Sequence, residues 1–455
     1  MTAEVSSKPK VSYLDNLLRQ AFNGAARVIP QDWGIAAPTA AWLQQVRDNA
    51  GTWVRELAMP TKKDEEWRFT DISPLLAVDF ETAPTVELPK AAIAPFELPE
   101  VADSRLVFVN GVYAPHLSEV SGLPDSVFVG NLGQLTQGQR DRLPEYLAQV
   151  EGGKEIFTAL NTAGLTDAAV VWVAKNAIVD TPIHLLFVSV KGEKAALVQP
   201  RTLVVAEGGS DCTLIEEYLV AGEEWCHAQG KQPYFTNAVT EFWLADNARV
   251  NHARIQREAS DSFHIGKTAI AQGRDSQYTC TAVSTGAKLS RHNLEMFQKG
   301  EGTYTTLNGL TCAEGEQVAD THSALALNYP HGNSTQLHKC IIGDRAHTIF
   351  NGKIFVPKPA QMTDASQLNR NLLLSPKARV NTKPQLEITA DNVKCAHGAT
   401  VSQLEDDELF YLQSRGLDAT TSRNLLIDGF AGEIIDHLPI KSLKTHLSRC
   451  IACRA

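Results

Sequence analysis

A mainly β chain wound as a solenoid, with helical regions before and after it, is the architecture this sequence predicts, and three observations carry that reading. From about residue 104, short runs rich in β-branched and aromatic residues recur, such as Val170–Val173, Ile183–Val190, Thr202–Ala206, Cys212–Val220, Val239–Leu244 and Val250–Gln256. Small polar or glycine turns divide such runs, among them Glu207-Gly208-Gly209-Ser210, Asp246-Asn247, Gly273-Arg274-Asp275 and Gly343-Asp344. The pattern continues for almost three hundred residues without a convincing amphipathic helix, which excludes alternating strand–helix units, and a sandwich would end sooner. A β-helix is what remains. The 455 residues divide accordingly into 1–102, a helical region and linker; 103–394, the β-helix; and 395–455, a C-terminal helical domain.

In the first region Tyr13, Leu14, Leu17, Leu18, Ala21 and Phe22 recur at helical spacing. Trp42, Leu43, Val46, Trp53, Val54 and Leu57 make a second stripe, with Pro30, Pro38 and Pro60 as punctuation. The run from Lys62 to Asp71 reads by composition as a solvated helix face. Residues 82–99, rich in Pro, Ala and Glu, read as a linker. A short helical interruption is expected between Leu132 and Leu147.

Near the C-terminus the period changes. Leu386, Ile388 and Val393 alternate as inward positions of a strand, and Leu409, Phe410 and Leu412 then follow helical spacing from Asp406. The switch is expected across Cys395–Thr400. Gly416 reads as a helix stop and Asp418 as the cap of the next helix, which Pro439 ends before a last one over about 440–451.

Composition narrows the function. A net charge of −10 argues against nucleic acid as partner, and no apolar run reaches the length of a membrane span. The polar stretch Met1–Lys10 has no signal-peptide character, and eight scattered cysteines read as free thiols, so a cytoplasmic setting is expected. Cys450 and Cys453, the one close pair, read as incidental thiols of a tail rather than a zinc or redox site.

Cys395 and His397 form the first candidate site. Two residues apart on an extended strand, they face the same side, and a thiolate with an imidazole suits iron or zinc. They also read as a small buried hydrophobe and a hydrogen-bonded turn histidine, and residue types alone leave both readings open. Glu216, Glu217, Glu241 and Asp320 are the acids available for glycosyl chemistry, but adjacent acids on a strand face opposite sides, and solvated strand residues are the plainer expectation. His322, His331, His338 and His347 recur at intervals of seven to nine without close ligand spacing. Phosphate-loop, dinucleotide and nucleophile-elbow motifs are absent, so the chain reads as a scaffold rather than an enzyme.

Several stretches carry a resemblance. Cys395-Ala396-His397-Gly398-Ala399-Thr400 with the run Leu404–Gly416, Asn351–Phe355, Gln367–Leu372, the stretch opening on Asp320-Thr321-His322, and Pro60–Asp71 are similar to the SufB/SufD family of iron–sulfur cluster assembly proteins. Gly398 follows His397 where the SufB side of the family carries a glutamate, and the 60–71 run is like that of the SufD side. The resemblance implies a right-handed parallel β-helix between helical regions and a non-catalytic scaffold within a SufBCD complex. It implies pairing with SufB through the β-helices, and docking of the ABC-type ATPase SufC on the C-terminal helical domain. His397 would contribute to a transient iron–sulfur cluster shared with SufB, as a metal ligand completed by the partner, with Cys395 an undecided companion. ATP would sit on SufC, and no cofactor would be bound by this chain alone. A SufB-like scaffold and a homomeric β-helix interaction protein, with a homodimer when alone, are the alternatives.

Overall fold

The computed structural model describes residues 12–28, 37–222 and 232–452. Two helices open it, α1 (Tyr13–Val28) and α2 (Ala37–Glu56), followed by the single turn α3 (Ser73–Leu76). The first strands are β1 (Glu81–Thr82), β2 (Arg105–Val109), β3 (Val112–Tyr113) and β4 (Val127–Asn131), then come helices α4 (Gln137–Arg142) and α5 (Ile156–Ala163). The winding continues through β5 (Ala169–Val173), β6 (Ile178–Ser189), β7 (Ala196–Val198), β8 (Arg201–Ala206), β9 (Asp211–Val220), β10 (Tyr234–Leu244), β11 (Arg249–Glu258) and β12 (Phe263–Gln272). It ends with β13 (Gln277–Gly286), β14 (Leu289–Gln298), β15 (Tyr304–Ala313), β16 (Val318–Ala326), β17 (Asn333–Ile342), β18 (His347–Val356), β19 (Asp364–Leu373), β20 (Arg379–Ile388) and β21 (Lys394–Gln403). Helices α6 (Asp406–Ser414), α7 (Ala419–Ile435) and α8 (Lys441–Ala452) close the chain.

Even-numbered strands from β8 to β20 stack parallel in one sheet and odd-numbered strands from β9 to β21 in the other, making a β-solenoid of about eight turns. Each strand registers with the strand two places on, so a column of side chains runs the length of each sheet. The bore between the sheets is filled by such columns, including Phe242, Ile270, Met296, Leu325 and Ile354 from one side and Cys212, Val250 and Tyr278 from the other. The turns work as their residues suggest: Asn247, Asp275 and Asp344 hold left-handed backbone at the corners, a conformation that short polar side chains tolerate.

The first two stripes pack as expected. Leu17, Leu18, Ala21 and Val54 meet Phe157 and Leu160 of α5 and, on the outer face of the sheet, Phe235 and Phe263. At the other end Ile427, Ile434, Leu438 and Leu443 lie on Leu310, Ile341 and Leu372, so α7 and α8 pack on the outer face of the odd-numbered sheet. Asp418 caps α7 by accepting from the Thr421 N–H at 2.8 Å.

Three expectations are corrected. Residues 82–99 are no linker: they form short 3₁₀ turns with Leu88, Ile93, Phe96 and Leu98 buried against the solenoid. Helix α5 interrupts the β region unforeseen, because all eight of its residues are buried and no polar face marks it. The change of period falls later than Thr400, since β21 runs unbroken to Gln403 and α6 starts at Asp406.

Candidate functional site

The four candidate acids are not solvated. Glu216, Glu217, Glu241 and Asp320 are all buried, each against cations or hydroxyls. Glu216 lies in the bore, accepting from Thr202 and Thr240 at 2.9 and 2.7 Å with His252 at 3.4 Å. Its neighbour Glu217 faces outward, as alternation demands, and meets Arg257 and His184 beneath the 82–99 segment. Burial alone would raise Glu217, but Arg257 and His184 outweigh it and hold the carboxyl at about 2. Glu241 receives Arg201 at 2.5 Å under α5. These acids hold elements together.

Asp320 does the same for the N-terminal charged run. It accepts from Arg291 at 2.6 Å and from Thr70, with His322 at 3.0 Å. Trp67 is buried with the Arg291 guanidinium 3.9 Å above its ring, and Arg291 also donates to the Glu66 carbonyl. Glu66 reaches His322 and Asn351, both at 3.2 Å, and Glu65 reaches Lys383. The run read as a solvated face is therefore a strap crossing β14, β16, β18 and β20. Itself one of the stretches that carried the resemblance, it is bonded to two others, through Asp320 and His322 and through Asn351.

The Cys395–His397 pair sits on β21, the last strand of its sheet. Cys395 registers with Ala365 of β19, and its column leads down through Tyr278, Val250 and Cys212 of the bore. The His397 column passes through Gln367, Gln336, Leu307, Cys280 and His252. Both residues thus occupy inward columns at the open mouth of the solenoid, about 7 Å apart along the strand. No described residue stacks on them, so His397 is exposed and Cys395 half-buried, with its thiol pushed up by burial and by Asp364 nearby. Pro384 and Leu386 of β20 occupy inward columns across the mouth.

Directly below lies a polar relay that residue types did not disclose. Gln367 donates through Nε2 to Gln336 Oε1 at 2.8 Å, and Gln336 donates to Ser323 Oγ at 2.9 Å. Gly352 makes room for it, since a Cβ there would stand 2.1 Å from Gln367 Nε2. The geometric signal for it was the column spacing of 30 and 31 residues that links His397 to Gln367 and Gln367 to Gln336. His338 lies in the bore, its pKa driven down to about 4 by burial, while His322 is on an outer face and His331 in a turn. Among the described residues no three His, Cys, Asp or Glu side chains converge where a metal ion would sit. Cys226, Cys453 and the Cys450 side chain lie outside the described residues, so the Cys450/Cys453 reading is untouched.

The SufBD core domain of the SUF system of FeS cluster assembly matches residues 187–430, and the SufBD N-terminal region matches 31–185. The chain belongs to the SufBD family. It is 52% identical over 408 residues to an iron–sulfur cluster assembly SufBD family protein of Synechocystis, covering 90% of each chain. It is 31% identical over 392 residues to the iron–sulfur cluster assembly protein SufD of Escherichia coli, covering 85% of this chain and 87% of that one. With SufD of Bacillus subtilis it shares 27% over 417 residues, covering 90% and 92%. Membership gives the SufBD chain a role in iron–sulfur cluster assembly within the SUF system. No described helix is long and apolar enough to cross a membrane.

Proposed function

We propose that this chain is a non-catalytic scaffold subunit that pairs with SufB at the mouth of the solenoid, docks SufC on its C-terminal helices, and lends His397 to the nascent cluster. The observation that carries the reading is the uncapped last rung. Among the described residues β21 pairs only with β19, leaving one edge of its backbone open, and the same strand presents His397 and Cys395 at the end of the bore. An open edge accepts a further strand, and two donors are fewer than an iron–sulfur cluster takes, so ligands from the added strand would complete the set. The cluster is cargo, and ATP stays on SufC. Cys212, Cys280, Cys340 and Cys395 are free thiols, which favours a reducing compartment such as the cytoplasm.

Helices α6 and α7 support the docking half of the proposal. Phe410 and Tyr411 of α6 and Leu425 of α7 are 73%, 58% and 51% exposed, while α7 is anchored to the solenoid through Ile427 and Ile434.

The test is His397→Ala in the complex reconstituted with SufB and SufC. Iron and sulfide content should fall strongly while all three subunits still co-elute. Unchanged content removes His397 from cluster formation. A chain that forms only a homodimer and ignores SufB in size-exclusion mass analysis supports self-pairing at this edge instead.

A further inference from the structure

We propose that Gln367 is the positioning residue for His397, accepting the imidazole ring N–H through Oε1 and so fixing which ring nitrogen is left to bind iron. The inference deepens the role proposed for His397 and rests on it.

The bore ends in two layers. His397 forms the outer one, and Gln367, its partner in register on β19, lies one strand spacing below, about 4.8 Å. The Gln367 amide is not free to turn. Its Nε2 is committed to Gln336 Oε1 at 2.8 Å, and Gln336 is held in turn by Ser323 at 2.9 Å. A primary amide whose nitrogen is fixed has its oxygen fixed as well. That oxygen, Gln367 Oε1, is fully buried and has no hydrogen-bond partner among the described residues. A buried acceptor without a donor costs about 1–3 kcal/mol, so it calls for one. Outward of Gln367 this sheet has one strand left, and its side chain in the same column is His397. His397, exposed at the mouth and not bonded to that oxygen, would supply the N–H by turning its imidazole inward.

Gly352 supports the same arrangement. Its ideal Cβ would stand 2.1 Å from Gln367 Nε2, so glycine on the facing strand is what lets the amide lie across the bore. The relay has a direction: Gln367 donates to the rung below and Gln336 donates across the bore to Ser323, so the one acceptor left over is the buried Gln367 Oε1 beside Gly352. A neutral imidazole that donates to it keeps one tautomer and presents its other nitrogen. Second partners of this kind are how ligating histidines are oriented for metals.

The experiment is ring ¹⁵N–¹H correlation of the full chain with labelled histidine, His397 being assigned from the spectrum of His397→Asn. The unsubstituted chain should show His397 in one neutral tautomer. Gln367→Met, which keeps length and loses the acceptor, should give a mixture of tautomers at His397, and Gln336→Met should do the same from two rungs away. Gln367→Glu, which keeps an acceptor oxygen, should restore the single tautomer. In the complex with SufB and SufC, Gln367→Met should lower iron content on the order of tenfold. If His397 has the same tautomer distribution in the Met and unsubstituted chains, the proposal is overturned even where His397→Ala still abolishes cluster formation. If His397→Ala leaves iron unchanged while the tautomer responds to Gln367, the hydrogen bond stands and the iron-binding role falls. A merely structural role for Gln367 would shift the melting temperature and leave the ring tautomer alone.

Discussion

The buried carboxylates are the residues for which composition misleads most. Glu216 and Glu217 read as solvated because acids usually are, and alternation correctly puts them on opposite faces; what it cannot say is that both faces are covered. Glu217 is covered by the 82–99 segment, whose Phe96 lies under the Arg257 guanidinium. Its folded pKa of about 2 is below the ordinary 4.5, so its contribution is present above pH 4.5 and is lost as pH falls toward 2. The shift corresponds to roughly 3 kcal/mol at neutral pH. Glu217→Gln should therefore lower the free energy of unfolding by about 3–5 kcal/mol at pH 7, since it leaves the Arg257 guanidinium without its buried carboxylate. Urea unfolding at pH 7 and pH 3 checks this, and the difference between the two chains should shrink at the lower pH. At the mouth, Cys395 and His397 were legible from spacing alone as a same-face pair. Gln367, Gln336 and Gly352 were not, because their relation to His397 is made by strands one and two turns of the solenoid away.

Elements were legible where one face is wet. The stripes of α1 and α2 and the cap of α7 follow from sequence because each helix has a polar side, whereas α5, buried all round, and the 82–99 segment, packed by isolated apolar residues, carry no period. The strap over residues 60–71 is the element whose chemistry was most hidden. Its lock is His322, which faces Asp320 on its own strand, Glu66 on the strap and Arg291 on β14. Burial lowers the His322 pKa, but Asp320 and Glu66 outweigh burial and raise it above 6.5. The charged imidazole therefore adds stability that is complete below pH 6.5 and is lost as pH rises through the raised value. Hydrogen exchange over residues 60–71 should accordingly quicken, relative to the intrinsic rate, between pH 6 and pH 9, and His322→Gln should abolish the difference. Trp67→Ala, which empties the site under Arg291, should cost about 3–5 kcal/mol and release the strap at every pH. Protection that is the same at both pH values would show that Trp67 packing holds the strap without the imidazole.

For the whole molecule, a solenoid has two ends, and each must be closed or used. At the first end the bore is closed by Tyr113, Val120 and Leu123 packed against Phe108 and Val129 of β2 and β4, while among the described residues the last rung ends in β20 and β21 with neither strand stacked upon. The two edges differ. Pro384 sits in β20, where a missing N–H suits an edge that is not extended, but β21 has no proline from Lys394 to Gln403. The Lys394 N–H already points to Thr363 on the neighbouring rung, so the alternation of a strand turns the N–H groups of Cys395, His397, Ala399 and Val401 toward the open side. If SufB adds a strand there, Ala399→Pro removes one of those donors without touching either candidate ligand. It should weaken SufB binding about tenfold, the effect of losing about 1.4 kcal/mol, while SufC binding through Phe410 and Tyr411 is retained. Conversely, Phe410→Asp with Tyr411→Asp should lose SufC in a pull-down and keep SufB. Affinity measurement of each partner on each variant separates the two surfaces, and a proline that leaves SufB affinity unchanged would move the junction away from β21.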